Sequence, residues 1–319
     1  MKLSVVIPAY NESASVRTLH EKLLVPELKK LKVEPEIIYV DDGSTDTTLS
    51  ILTDIAEHDD TIRVVALSRN FGKEIATTAG IAASTGDATI MLDADGQHPP
   101  ALIGQFVEEW QKGAQVVIGV RGDAPDYSLP KRLGSGLYNR VFNSVLDTKA
   151  APNATDFRLI DREVREAFLR LPERNRLTRG LIDWLGFKRT YIPFDAAIRI
   201  AGPPTYSFRK LVKLASYSII SLSLKPLFWL IWTGFGVTII SFLLGLFIII
   251  EQLILGDPWS LDFTGSAMLG VFISFLVGIV LMSEGVIALY IANIHEQTRA
   301  RPLYIVDKKH SVNLRETHA

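Results

Sequence analysis

Short apolar runs alternate with helix-length stretches through the first 120 residues, and this alternation restricts the fold more than any other feature of the chain. Residues 3–7 give a strand signal that ends at Pro8, and residues 13–31 read as a helix. Residues 36–40 give a second strand signal, closed by Asp41-Asp42-Gly43-Ser44, and residues 47–56 a second helix. Further strand signals cover 63–67, 88–92 and 115–119. Strands alternating with helices predict βαβ units and a mostly parallel sheet. In such sheets ligands bind beyond the carboxyl ends of the strands. Three polar clusters fall at those ends: Pro8-Ala9-Tyr10-Asn11-Glu12, Asp41-Asp42-Gly43-Ser44 and Asp93-Ala94-Asp95-Gly96-Gln97. One site drawing on all three is expected.

The third cluster has the plainest chemistry. Met91-Leu92 ends a strand, and two carboxylates spaced two residues apart follow, with an amide oxygen close by. Hard divalent cations take oxygen ligands and are commonly held by one or two carboxylates while substrate phosphates complete the shell. A diphosphate is therefore the expected ligand, although the same residues also suit an ordinary turn. The Asp41–Asp46 cluster reads equally as a glycine turn with a helix cap, through Ser44 or Asp46, or as an acceptor for a base or ribose hydroxyl. Tyr10 offers a face for stacking and Glu12 an acceptor. There is no glycine-rich phosphate cradle, so the phosphates would rest on the metal and on Lys73, Arg121 and Arg199.

Composition bears on what surrounds this site. The 319 residues carry a formal net charge of -1, no cysteine and a mean hydropathy of +0.21, which gives no sign of a nucleic-acid patch or a disulfide framework. No leader is expected ahead of the first strand. The apolar excess is concentrated in residues 226–250 and 263–291. Roughly 20 apolar residues at ~1.5 Å each cross a ~30 Å hydrocarbon core, so two membrane helices are expected there, within a region covering 226–294. Arg209, Lys210, Lys213 and Lys225 precede them and Arg299, Arg301, Lys308, Lys309 and Arg315 follow, while the connection has acids and no Lys or Arg. This bias places both termini in the cytoplasm. Residues 206–225 suit an amphipathic segment at the headgroup level, residues 295–319 a cytoplasmic tail, and Glu284 a polar contact between helices. The catalytic domain is then 1–205, and the expected location is the inner membrane.

The motifs carry a resemblance. Pro8-Ala9-Tyr10-Asn11-Glu12, Asp41-Asp42-Gly43-Ser44-Thr45-Asp46, Ser68-Arg69-Asn70-Phe71-Gly72-Lys73-Glu74, Asp93-Ala94-Asp95-Gly96-Gln97-His98-Pro99-Pro100, Asp156-Phe157-Arg158-Leu159 and Glu173-Arg174-Asn175-Arg176 resemble the ordered motifs of family 2 glycosyltransferases with a GT-A fold. The chain is most similar to the polyprenyl-phosphate glycosyltransferases, the group of the dolichyl-phosphate mannose synthases and bactoprenol glucosyltransferases. The resemblance implies a nucleotide-sugar donor, linked to UDP or GDP, a Mg²⁺ or Mn²⁺ cofactor, a polyprenyl-phosphate acceptor and inversion at the anomeric carbon. It assigns Pro8, Tyr10, Glu12, Val40 and Asp42 to the nucleoside, with Lys73, Asp93, Ala94 and Arg199 also on the donor. Asp93, Asp95 and Gln97 match metal-binding positions. Arg121, Lys131, Arg132 and Ser135 match positions that handle the acceptor phosphate, and Asp95, Asp156 and Arg121 are the expected catalytic residues. Gly96 stands where Leu is common, and Thr205, in Gly202-Pro203-Pro204-Thr205-Tyr206, stands where a Lys is often found.

A phosphate monoester with a second pKa of about 6 is largely dianionic at neutral pH, so no strong general base is required. Asp156 is accordingly expected to orient groups, and Arg121, Lys131 and Arg132 to offset repulsion between donor and acceptor anions. Membrane lipid and a second copy of the chain are expected partners. A transferase with another lipid acceptor and a non-catalytic scaffold on a transferase fold are the alternatives; a processive synthase would need a Gln-x-x-Arg-Trp segment, which the sequence lacks.

Overall fold

The computed structural model describes residues 1–122, 153–174, 176–195, 265–298 and 301–314, with single residues at 243 and 250. Residues 1–122, 153–174, 176–195 and 301–314 belong to one compact unit, and residues 265–298 to a second.

The first unit is built on strands β1 (Lys2–Ala9), β2 (Glu34–Asp41), β3 (Ile62–Ala66), β4 (Ala88–Met91), β5 (Val116–Arg121), β6 (Ala154–Asp161) and β7 (Arg189–Phe194). They form one seven-stranded sheet in the order β3-β2-β1-β4-β6-β5-β7. The β1–β2, β1–β4, β2–β3 and β5–β7 pairs are parallel, while β6 runs antiparallel to both β4 and β5. The mostly parallel α/β sheet read from the sequence is thus present. Strands β6 and β7 lie outside the predicted set. In β6 the inward-facing positions include Arg158, which is 1 % exposed, so a buried charge interrupts the apolar signal.

Helices cover both faces. Val16–Thr18 (α1), a π-helical turn Leu19–Leu24 and Val25–Lys30 (α2) replace the single helix expected over 13–31; the wide turn accommodates Pro26, which has no N–H for an uninterrupted ladder. With α3 (Thr48–Glu57) and α5 (Ile103–Gln111) they pack on the face that presents Leu3, Val5, Ile7, Ile37 and Tyr39. Helices α4 (Lys73–Ala83), α6 (Arg162–Arg170) and α7 (Thr178–Trp184) pack on the opposite face, against Val6, Ile38, Val40 and Met91. Successive β1 residues point to opposite faces, and because both are buried the strand reads as a continuous apolar run. Helix α4 lies so close to β1 that a Cβ at Gly80 would come within 2.3 Å of Val6 Cγ1.

The amino ends of the central strands meet at Glu36. Its buried carboxylate accepts from Ser4 Oγ (2.5 Å) and from Thr85 N and Oγ1 (2.8 and 2.7 Å), and it pairs with Lys2 Nζ (2.7 Å) and Arg63 Nη2 (2.5 Å). One side chain thereby ties β1, β2, β3 and the approach to β4.

The expectation of two membrane-crossing helices is corrected: among the described residues no helix is long and apolar enough to cross a membrane. Segment 226–250 lies outside the described residues apart from 243 and 250, as does 206–225. Segment 263–291 falls largely within a helix, α8 (Gly265–Thr298), which also holds Ser283, Glu284, Asn293, His295 and Glu296. Ser283 turns its hydroxyl back onto the Ile279 carbonyl (2.9 Å). An apolar run establishes that a helix must bury its surface; whether lipid or protein covers it is not encoded in hydropathy alone.

Candidate active site

The three polar clusters converge at the carboxyl ends of β1, β2 and β4, as parallel strand order requires. The first two interlock. Asn11, at φ 54°, accepts from Thr45 N (2.8 Å) and donates its own amide to Ser44 Oγ (3.0 Å). Glu12 N donates to Thr48 Oγ1 (2.8 Å), and Asp46 accepts from Thr48 N (2.9 Å). Ser15 Oγ donates to the Glu12 carboxylate (2.5 Å), so Glu12 helps to start the first helix. Tyr10, beside this junction, is 42 % exposed. Asp46 thus binds the first amide of the following helix, while the N-cap position itself falls on Thr47, which makes no side-chain cap bond, and not on Ser44 or Asp46 as the sequence reading expected.

Asp42 directs both carboxylate oxygens at backbone, accepting from Phe71 N (2.7 Å) and Gly72 N (2.9 Å). Burial pushes its carboxyl above the ordinary range, against those two amides. Asp41 accepts from Ser44 N (3.1 Å) through Oδ2, while Oδ1 is buried with no hydrogen-bond partner. That acceptor is a functional candidate within the cluster that the sequence reading offered to a base or ribose hydroxyl, although the resemblance assigned only Asp42 to the nucleoside. Burial raises the Asp41 carboxyl too. Val40 is fully buried against α4, which leaves only its backbone for a ligand.

Asp93 follows β4. Its amide donates to His98 Nδ1 (3.1 Å), which fixes the proton of a neutral His98 on Nε2. The imidazole is 6 % exposed and stacks on Phe157, with ring centroids 5.2 Å apart and planes at 13°; burial lowers its pKa. Asp95 accepts from Gln97 N (3.0 Å) across the turn that Gly96 makes at φ 77°. His98 thus holds the backbone of the acidic turn from below. Ala94 is buried in the core.

Lys73, at the start of α4, reaches into the same cleft. Its ammonium lies 2.6 Å from Asp93 Oδ1 and 3.0 Å from Asp156 Oδ2. Burial opposes the charge on Lys73, but the two carboxylates outweigh it and raise the pKa. For Asp156 burial again acts against ionisation, and the charges of Lys73 and Arg179 prevail, holding the carboxyl down at about 2. A carboxylate so acidic is a poor proton acceptor near neutrality, in keeping with an orienting role. Pro8, Glu74, Arg158, Thr178 and Arg179 also line the cleft. Glu74 accepts from Thr178 N (2.8 Å), and burial raises its carboxyl. Arg158 forks onto buried Asp183 (Nη1–Oδ1 2.8 Å, Nη2–Oδ2 3.4 Å). Glu74 and Arg158 sit in motifs quoted above without a role; their signal was a charge inside an otherwise apolar strand or helix face.

Arg121 ends β5, and among the described residues its buried Nε has no hydrogen-bond partner, which makes it a candidate donor to a ligand. Lys131, Arg132, Ser135, Arg199 and Thr205 lie outside the described residues.

Among the described residues no group of three or more His, Cys, Asp or Glu suits a metal ion. The donor set nevertheless fits a hard divalent cation: Asp93 and Asp95 supply carboxylates, Gln97 an amide oxygen, and Lys73 shows that the Asp93–Asp156 pair is arranged around positive charge. A diphosphate would supply the further oxygens.

The family model described as glycosyl transferase family 2 matches residues 4–169. The chain is 40% identical over 308 residues to an uncharacterized glycosyltransferase of Synechocystis sp., covering 96% of this chain and 95% of that protein. It is 37% identical over 316 residues to the SfII prophage-derived bactoprenol glucosyl transferase of Shigella flexneri, covering 98% and 100%. Among solved structures, mannosyl-3-phosphoglycerate synthase from Rubrobacter xylanophilus is similar with a TM-score of 0.50 at 17% identity, over 69% of this chain and 72% of that one, a likeness of fold.

Proposed function

The chain belongs to glycosyl transferase family 2, and from that premise we propose that it moves one sugar from a UDP- or GDP-linked donor to polyprenyl phosphate, with inversion, at the cytoplasmic face of the membrane. The observation that carries the reading is the cleft in which Lys73 separates Asp93 from Asp156, lined from the carboxyl ends of β1 and β4, from the start of α4 and from β6. The acceptor class follows from similarity to the bactoprenol glucosyl transferases over nearly the whole chain.

Asp93, Asp95 and Gln97 would hold a Mg²⁺ or Mn²⁺ ion. Such an ion supplies Lewis-acid neutralisation of the charge that grows on a departing nucleoside diphosphate, worth several kcal/mol. The protein's own groups do the rest. Tyr10 and the Asn11–Thr45 junction offer a wall for the nucleoside, and Asp41 Oδ1 an acceptor for a sugar or base N–H or O–H. The acceptor phosphate is already dianionic at neutral pH, so Asp156 has no proton to remove; it holds Lys73 in place, and Lys73 screens two approaching anions. Arg121 donates to a phosphate oxygen. Orientation of the attacking oxygen then adds to the acceleration.

The test uses the full chain in detergent with Mg²⁺ or Mn²⁺, undecaprenyl phosphate and a panel of UDP- and GDP-sugars, read by mass spectrometry. A lipid carrying one sugar is the expected product and identifies the donor. Release of nucleoside diphosphate without glycolipid would refute the acceptor assignment, and bound nucleotide without any turnover would favour a scaffold.

A further inference from the structure

Strand β3 is an edge strand, and the stretch that follows α8 in sequence returns to cover it. Val64 N and Val312 N each donate to the other's carbonyl (3.1 and 3.0 Å), Ala66 N donates to Ser311 Oγ (3.0 Å), and Asp307 N donates to Ala66 O (2.8 Å). Asn313, at φ 54°, donates from Nδ2 to the Ala56 and Ile62 carbonyls (3.1 and 2.8 Å). Covering an exposed edge is a common need, and a cover would end where β3 ends, at Ala66. This segment continues. Leu67 bridges Val306, and Ser68 N donates to Ile305 O (2.9 Å), so the pairing runs into the loop that joins β3 to α4.

That loop is the one Asp42 holds. Further along it, the Phe71 and Gly72 amides donate to Asp42. Between Ser68 and Phe71 the Arg69–Asn70 backbone lies against Gly43, where an added Cβ would come within 2.4 Å of Arg69 C and 2.6 Å of Asn70 N. Residues 68–72 therefore touch the C-terminal segment at Ser68 and the Asp42–Gly43 turn from Arg69 to Gly72. Phe71, Tyr304 and Val306 also pack on the same apolar cluster.

We propose that residues 305–313 are a positioning strap for the donor: by fixing Ser68 they fix the loop amides that orient Asp42 and so set the shape of the nucleoside end of the site. The inference rests on the donor reading above. Loss of the strap leaves the loop in several arrangements, of which one is competent, and apparent donor affinity falls by the competent fraction. Chemistry at Asp93, Asp95 and Asp156 is untouched once donor is bound.

The test is the full-length double variant Asp307→Pro with Val312→Pro, which removes two strap N–H donors, beside Ser311→Ala, which removes one acceptor. Hydrogen exchange at the Phe71 and Gly72 amides should quicken by about tenfold or more, and KM for the donor and Kd for its nucleoside diphosphate should rise about tenfold. The kcat at saturating donor should stay within about twofold. Lys308→Ala, which retains the backbone bonds, should behave as the parent. Faster exchange with unchanged donor KM, or a fall in kcat alone, would overturn the proposal and leave the segment as an edge cover. If the double variant fails to fold, unaltered exchange and KM in Ser311→Ala overturn it equally. Failure of the parent protein to bind any nucleoside diphosphate would instead count against the donor reading, and exchange at Phe71 and Gly72 would still decide whether the strap fixes the loop.

Discussion

Replacing Glu36 by Gln tests whether one carboxylate secures the amino ends of the strands that carry the site. Glu36 is 2 % exposed. Burial by itself would raise its pKa, but hydrogen bonds from Lys2, Ser4 and Thr85 reverse the effect and depress it from 4.5 to about 2. At ~1.4 kcal/mol per pH unit this difference is worth about 3 kcal/mol of folding free energy. The sign follows from linkage: a carboxyl more acidic in the folded state binds its proton preferentially in the unfolded one. Its contribution is complete above pH 4.5, declines by about 1.4 kcal/mol per unit as pH falls, and is gone near pH 2. Glu36→Gln removes the charge, keeps the shape and leaves Lys2 and Arg63 without their counter-ion. Urea unfolding of parent and variant at pH 7 should differ by about 3 kcal/mol, with the gap narrowing through pH 4 and pH 3. A difference that does not change between pH 7 and pH 3 would refute the assignment of the stabilisation to ionised Glu36.

Asp95→Ala gives up the hydrogen bond from Gln97 N, a bond worth about 1 kcal/mol, and glycolipid formation by the folded variant should fall by about 10³-fold or more. A fully active Asp95 variant would discredit the metal assignment. Lys73→Met should lower turnover by about 10²-fold, and Lys73→Arg should restore part of it, measured by nucleoside diphosphate release in the folded variants. Arg158→Met leaves Asp183 buried without its fork and should destabilise by about 3–5 kcal/mol, most of it recovered when Asp183→Leu is added, as denaturant unfolding would show.

Much of the catalytic half was legible because its signals are local. Short apolar runs alternating with helical patterns and closed by polar clusters identify β1 to β5 and a mostly parallel sheet, and parallel strands bring Tyr10, Asp42 and Asp93 to one end of it. What the pattern missed has specific causes. Strand β6 carries a buried arginine whose partner, Asp183, lies 25 residues later in sequence, and a charge with a distant partner looks like surface. Lys73 read as a phosphate ligand, yet it stands between Asp93 and Asp156, from β4 and β6, a juxtaposition that depends on β6 entering the sheet antiparallel beside β4. The two apolar segments near the C-terminus read as membrane spans because hydropathy registers the need for cover and not its source.

The sequence by itself determined the α/β class, the acidic turn after β4 and the oxygen-rich chemistry of the cleft, since each depends on residues within one or two elements. Only the tertiary structure decided that Asp42 serves the loop at residues 68–72, that Asp41 keeps an unpartnered oxygen, and that residues 305–313 lie along β3. Those contacts join positions up to 257 residues apart, as between Asn313 and Ala56, and the entropy of closing such loops is offset by burial and pairing that exist only once the sheet has formed.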